Sequence, residues 1–255
     1  MKTSALSSGS SGNCFYVEHN NSAVLVDAGI SSKRIVERMS HLKLSPEKIK
    51  GIFITHEHID HIRGTDVFAR QFNIPIFATK KTVDSAFLCS NPELIQTIRN
   101  NEIVNINGME IEAFSKSHNA SDPVSYSITN GKKISVITDL GHPCSRIADN
   151  VSSSDFLYLE SNHDVDMVDQ GPYPYFLKKW IKGDSGHLSN TQAGLCVLEN
   201  ANPKLKNIVL SHLSLTNNTP QLALKTFNSL IKERYHFNPR VSLSLRDFST
   251  PLFNV

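Results

Sequence analysis

The run His56-Glu57-His58-Ile59-Asp60-His61, directly after the apolar stretch Gly51-Ile52-Phe53-Ile54-Thr55, constrains this chain more than any other feature. Three imidazoles and the Asp60 carboxylate within six positions make a metal site, with donors enough to contribute to a second. The apolar stretch has the length and Ile content of a short buried strand ending at Thr55. Arg63-Gly64, followed by the periodic Val67, Phe68 and Phe72, reads as a helix start. The cluster is therefore expected on a strand-to-helix loop at a sheet end, where rigid elements hold reactive side chains. Neutral imidazole and carboxylate suit zinc, iron, manganese or nickel, and the lack of neighbouring thiolates argues against a closed structural zinc site. A His-rich polar surface loop is the plainer alternative, disfavoured by matching signals further along the chain.

Composition narrows the classes. No long linker, low-complexity block or repeat divides the 255 residues, so one domain spanning 1–255 is expected. A formal net charge of +2 gives no field that would imply nucleic acid by itself. Cys14, Cys89, Cys144 and Cys196 form no C-x-x-C pair, and the N-terminal residues lack an apolar signal-like core. No run approaches the roughly 18 apolar residues of a membrane span. A cytoplasmic protein with reduced thiols and no membrane partner is expected.

Strands are predicted over Cys14–Val17, Ala23–Val26, Ile52–Thr55, Ile74–Ala78, Glu102–Ile106, Met109–Phe114, Val124–Thr129, Lys133–Thr138, Phe156–Glu160, Asn207–Ser211 and Arg240–Leu245. Helices are predicted over Ser32–Met39, Thr65–Phe72, Lys80–Leu88, Pro92–Arg99, Tyr173–Lys182, Asn190–Asn200 and Pro220–Arg234. Asn107-Gly108 and Asn130-Gly131 are hairpin-type turns. Strands in the middle with helices on both sides suggest two mostly antiparallel sheets covered by helices, an α/β, four-layer αββα sandwich. Ser7-Ser8-Gly9-Ser10-Ser11-Gly12-Asn13 has linker composition, but its place between strands argues for a tight loop.

Three further residues lie at predicted strand exits: His118 after Ile111–Phe114, Asp139 after Lys133–Thr138, and His212 after Ile208–Ser211. Each alone could be an ordinary polar strand exit; together they point to a shared pocket at one sheet edge.

With these residues in view, the chain resembles a known family. His56-x-His58-x-Asp60-His61 with Gly64, preceded by Val26-Asp27-Ala28-Gly29, is similar to the metallo-β-lactamase fold. Its branch of YycJ/VicX (WalJ)-like bacterial hydrolases is resembled more narrowly, through the Ser7–Cys14 stretch, Gly186-His187-Leu188-Ser189-Asn190, Leu210-Ser211-His212-Leu213-Ser214 with Asn217-Asn218-Thr219-Pro220, and Glu160-Ser161-Asn162-His163-Asp164. The resemblance implies His56, His58 and His118 on one divalent ion, Asp60, His61 and His212 on a second, and Asp139 shared between them. It implies catalytic duty for Asp60 within that set, and a Glu160–His187 pair serving the leaving oxygen. Asp27 would brace the cluster without touching metal, and Ser11, Asn13 and His163 are candidates for bracing or substrate contact. Zinc or manganese would suit, and iron is accommodated.

Two divalent ions about 3.5–4 Å apart can share a hydroxide and clamp a phosphodiester. Expelling a sugar alkoxide also needs a proton, which His187 oriented by Glu160 could supply. The resemblance implies a DNA nuclease, specifically a 5′-to-3′ exonuclease linked to mismatch repair. Alternatives are a hydrolase of cyclic or short phosphodiesters and a metal-binding regulator of cell-wall signalling.

Direct support for DNA is weaker. Basic pairs stand at Lys33-Arg34, Lys80-Lys81, Lys132-Lys133 and Lys178-Lys179, and Tyr173, Tyr175 and Trp180 interleave with the last pair and Lys182. The preferred reading of that segment is an amphipathic helix with solvated lysines and core aromatics. DNA would then be gripped by the core alone or by a homo-oligomer.

Overall fold

A computed structural model describes all 255 residues, which gather into two compact units. The first comprises Met1–Ser115, Ala120–Lys132 and Leu245–Val255; the second comprises Lys116–Asn119 and Lys133–Ser244.

The first unit contains β1 (Lys2–Ser7), β2 (Cys14–His19), β3 (Ser22–Val26), α1 (Ser32–His41), β4 (Ile49–Phe53), α2 (Ile59–Ile62), α3 (Thr65–Phe72), β5 (Ile76–Thr79), α4 (Lys80–Ser85), β6 (Ile95–Ile98), β7 (Ile103–Ile106), β8 (Met109–Ser115) and β9 (Val124–Asn130). Its main sheet runs from the C-terminal strand Phe253–Asn254 through β1, β2, β3, β4 and β5 to β6. Pairing is antiparallel up to β3 and parallel from β3 to β6. β7, β8 and β9 form an antiparallel ladder, with Asn107 and Gly108 both at positive φ in the β7–β8 turn. Ile35 and Met39 of α1 and Phe68 and Ala69 of α3 are buried in one apolar cluster with Leu25, Ile52 and Ile54. That burial is what drives these amphipathic helices onto the sheet.

The second unit contains β10 (Lys132–Ile137), α5 (Ser145–Ser153), β11 (Phe156–Glu160), α6 (Val165–Gln170), α7 (Tyr175–Ile181), α8 (Asn190–Asn200), β12 (Asn207–Ser211), α9 (Pro220–Ile231) and β13 (Arg240–Leu243). β10 to β13 pair in sequence order and in parallel throughout. Ser189 caps α8 in a reciprocal capping box with Gln192. Gly194 lets α9 approach α8: a Cβ there would lie 2.6 Å from Leu230 Cδ1.

Several expectations are corrected. The sheets are not mostly antiparallel, because helices between successive strands supply the long crossovers that parallel pairing requires. Pro92–Arg99 is not a helix: a single 3₁₀ turn at Pro92–Leu94 leads into β6, whose Ile95, Thr97 and Ile98 suit a strand paired to β5. Lys80–Leu88 shortens to α4, and Tyr173–Lys182 to α7, which begins after Pro174. β1, α2, α5 and α6 were not anticipated; β1 is rich in small polar residues yet almost wholly buried. No helix is long and apolar enough to cross a membrane.

The backbone closest to the histidine cluster is laced by short contacts. Asn13 N–H donates to the Asp60 carbonyl at 2.8 Å, Gly29 N–H to the Asn13 carbonyl at 2.7 Å, and Gly64 N–H to the Ala28 carbonyl at 2.8 Å. A Cβ on Gly29 would stand 1.6 Å from the Asp60 carbonyl oxygen, so only glycine permits this approach. Gly29→Ala is expected to cost several kcal/mol, on the order of the larger single-site effects. Thermal unfolding alongside metal content would read this out, with both falling.

Candidate metal centre and acid–base pair

In the first unit the cluster begins at the exit of β4, and α2 carries Asp60 and His61. Asp27, fully buried at the exit of β3, organises it. Its Oδ1 accepts from Thr55 N–H at 2.8 Å, and its Oδ2 from Thr55 Oγ1 at 3.0 Å and His61 Nδ1 at 2.7 Å. This network places a proton on His61 Nδ1 and leaves Nε2 as the ring's lone pair. His56 Nδ1 lies 2.9 Å from Thr55 Oγ1, so its Nε2 is likewise turned outward, 3.0 Å from His58 Nδ1. The Asn13 amide nitrogen lies 3.3 Å from Asp60 Oδ2 and 3.2 Å from His61 Nε2. Ser11 is exposed, and its carbonyl accepts from Arg63 at 3.2 Å.

In the second unit the donors stand at the exits of three parallel strands. Asp139 follows β10, Glu160 ends β11 and His212 follows β12. With His187, one donor atom from each lies within 4.8 Å of the others. His212 Nδ1 is 3.4 Å from Asp139 Oδ2, and His118 Nε2 is 3.7 Å from Asp139 Oδ1. His118 Nδ1–H donates to the Gly186 carbonyl at 3.2 Å, which aims Nε2 toward that carboxylate. His118 is nearly buried, and burial pushes its imidazole down to about 4, so it is neutral near pH 7.

Glu160 is fully buried, and its carboxylate accepts from Asp139 N–H at 3.2 Å, Leu140 N–H at 2.8 Å, Leu188 N–H at 3.0 Å and His187 Nδ1 at 2.9 Å. Burial alone would raise its pKa, but the charge and hydrogen bond of His187, with His212, turn the shift downward. The His187 and His212 rings stack at 5.4 Å, and the Trp180 ring meets His187 edge-on at 5.7 Å.

His163 is buried one turn of chain beyond Glu160, bridged through its backbone to Ser189. Burial lowers its imidazole to about 4, and Nδ1 makes no hydrogen bond. His142 is exposed and donates to the Asp184 carbonyl at 3.1 Å. Sequence reasoning gave no role to Thr55, Lys116, Asn162, Asn190 or Asn218. Lys116 Nζ donates to the Thr138 carbonyl at 2.7 Å, next to Asp139. Asn162 Nδ2 donates to the His212 carbonyl at 2.9 Å, and Asn218 Nδ2 to the carbonyls of Ser161 at 2.9 Å and Asn162 at 3.0 Å. Asn162, Asn190 and Asn218 stood in the quoted motifs; their burial was the signal that spacing could not carry.

The donor chemistry fits divalent ions. Imidazole nitrogens with outward lone pairs and buried carboxylates are the ligand set of zinc, manganese or iron, and Asp139, Glu160, His187 and His212 of the second unit form such a group.

Fold and donors define a class. The pattern of the metallo-beta-lactamase superfamily matches residues 8–91. The metallo-beta-lactamase fold protein YhfI of Bacillus subtilis has the same fold, with a TM-score of 0.73, 98% of each chain covered and 15% identity. The chain is 34% identical over 237 residues to the exodeoxyribonuclease YycJ of Bacillus anthracis, covering 91% of this chain and 89% of the relative. It is 36% identical over 235 residues to the exodeoxyribonuclease WalJ of Streptococcus pneumoniae, covering 89% and 86%. The chain therefore belongs to the metallo-beta-lactamase superfamily, and within it to the family of the YycJ and WalJ proteins. It has the α/β fold of that superfamily and is a metal-dependent hydrolase.

Asp27→Asn would leave the volume intact while breaking the carboxylate's hold on His61. Metal affinity in the variant, measured by competition with a chromogenic chelator, is expected to fall about 10–100-fold.

Proposed function

We propose that this protein is a dinuclear metal-dependent DNA exonuclease, acting 5′ to 3′ in the cytoplasm and linked to mismatch repair. The observation that carries the reading is the Glu160–His187 pair, joined at 2.9 Å, beside the donors of Asp139 and His212. The likeness to the exodeoxyribonucleases YycJ and WalJ supports DNA as substrate. His56, His58, Asp60 and His61 of the first unit, and His118, Asp139 and His212 of the second, are the proposed ion ligands. Bound ions would acidify water and offset the phosphodiester's charge.

The chain's own contribution is to place protons. Glu160 accepts from His187 Nδ1, which fixes that ring's orientation and favours its charged form. The remaining ring nitrogen can then hold a proton for the departing 3′ oxygen. Such general acid help contributes roughly 10²–10⁴ in rate. A lactam or thioester has a better leaving group and needs no such pair, so the pair favours phosphodiesters. Asp60 has a partly exposed side chain, suited to orient the attacking water as well as to ligate.

The test uses manganese- and zinc-loaded protein with 5′-phosphorylated duplex DNA labelled at one end. Asp139→Ala is expected to lose both metal and nucleotide release. His187→Ala should keep its metal and lose about 10²–10⁴ in turnover. Parallel loss of metal and turnover in the His187 variant would make it a ligand instead. Intact DNA with continued cleavage of bis-p-nitrophenyl phosphate would move the substrate to small phosphodiesters.

A further inference from the structure

Helix α7 presents side chains in three stripes. Leu177 and Ile181 face inward, with Ile181 buried. Phe176 and Trp180, one turn apart, face outward at 73% and 38% exposure, and neighbouring Tyr175 is 81% exposed. Lys178, Lys179 and Lys182 line a groove of about 290 Å³ with Tyr175 and Asp169. Contrary to the preferred reading of the sequence, Tyr175 and Trp180 are not core, and Tyr173 is only half-buried.

Three large rings left in water on a helix of seven residues form an apolar patch of the kind that marks an interaction surface. Its position selects the partner. Trp180 touches the His187 ring edge-on at 5.7 Å, so the patch is continuous with the proposed acid–base pair. Asp169 engages Lys182 by an ion pair and Lys178 through its carbonyl, which leaves one carboxylate against three ammonium groups in the groove. Flat aromatic faces beside a net positive groove match a chain of stackable bases joined by phosphates. A duplex hides its base faces, so the complementary ligand is single-stranded.

We propose that α7 is a stacking platform for single-stranded DNA. Bases lie on Tyr175, Phe176 and Trp180, their phosphates run along Lys178, Lys179 and Lys182, and the strand is led toward His187. This inference rests on the nuclease reading and deepens it by naming the strandedness of the substrate held at the site.

The experiment measures kcat and KM of manganese-loaded protein on a 5′-phosphorylated oligothymidylate, together with turnover of bis-p-nitrophenyl phosphate. The Tyr175→Ala/Phe176→Ala double variant is expected to raise KM for the oligonucleotide roughly five- to a hundredfold with little change in kcat. Phe176→Trp should retain the low KM, because it keeps a stacking face. Tyr235→Ala, which removes an equally exposed ring from another loop, should behave as wild type. An unchanged KM in the double variant, with wild type degrading the oligonucleotide, overturns the platform and leaves the nuclease standing. Cleavage of bis-p-nitrophenyl phosphate with no degradation of any DNA by wild type overturns both. Loss of a self-associated form in the double variant, with KM unchanged, would assign the patch to a protein contact and also overturn the proposal.

Discussion

The second unit is arranged around one buried carboxylate. Glu160 accepts from two amides at the exit of β10, from the Leu188 amide and from His187. A fully buried carboxylate without such partners would be driven to protonate. Saturated in this way, it stays ionised and pins two segments, Asp139-Leu140 and His187-Leu188, to the end of β11. Asp139, His187 and the loop leading to α8 therefore depend on it for their positions. Replacing it by an apolar residue of similar size would strand several buried donors at once, which is why its role is architectural as well as chemical.

Asp27 does the same work in the first unit, and its backbone conformation recurs at two of the donors. Asp27, Asp139 and His212 each stand one or two residues past a strand with φ of 60°, 53° and 55°. The left-handed region is disfavoured for residues with a Cβ and is concentrated at functional sites. At a strand exit it turns the chain sharply while keeping the side chain at the strand's end. A glycine would adopt this backbone more easily but would bring no donor. The fold thus accepts local strain where it needs a ligand or brace, and the surrounding hydrogen bonds hold that strain in place.

The candidate site was far more legible in the sequence than the sheets were. His56–His61 announced themselves by density of donors, and His118, Asp139 and His212 by following apolar runs whose periodicity is local, whereas Glu160 came only through the family resemblance. Strand direction is not local: β10 to β13 alternate with helices, and it is the length of each crossover that makes them parallel. β6 was misread because Pro92-Glu93-Leu94 opens like a helix, while pairing to β5 decides the outcome. β1 was missed because Lys2–Ser7 is small and polar, and its burial comes from neighbours on both sides. The exposure of Tyr175, Phe176 and Trp180 was invisible for the converse reason, since periodicity shows that a helix has faces but not which face finds a partner.

Burial also decides the state in which the donors wait. His118 lies in surroundings that hold its imidazole down to about 4, and desolvation is the largest cause. Its Nδ1 donates to a carbonyl, so the neutral tautomer with the lone pair on Nε2 is selected before any ion arrives. His56 and His61 reach the same tautomer through Thr55 and Asp27. Cation binding to His118 does not have to displace a proton near neutral pH, and none of these three rings has to turn over to present its nitrogen. His187 differs from His118 in that its Nδ1 points to a buried carboxylate, which favours the charged ring, rather than to a carbonyl. An imidazole poised to carry a proton, His187, beside one kept neutral, His118, is the division of labour that metal-assisted hydrolysis requires.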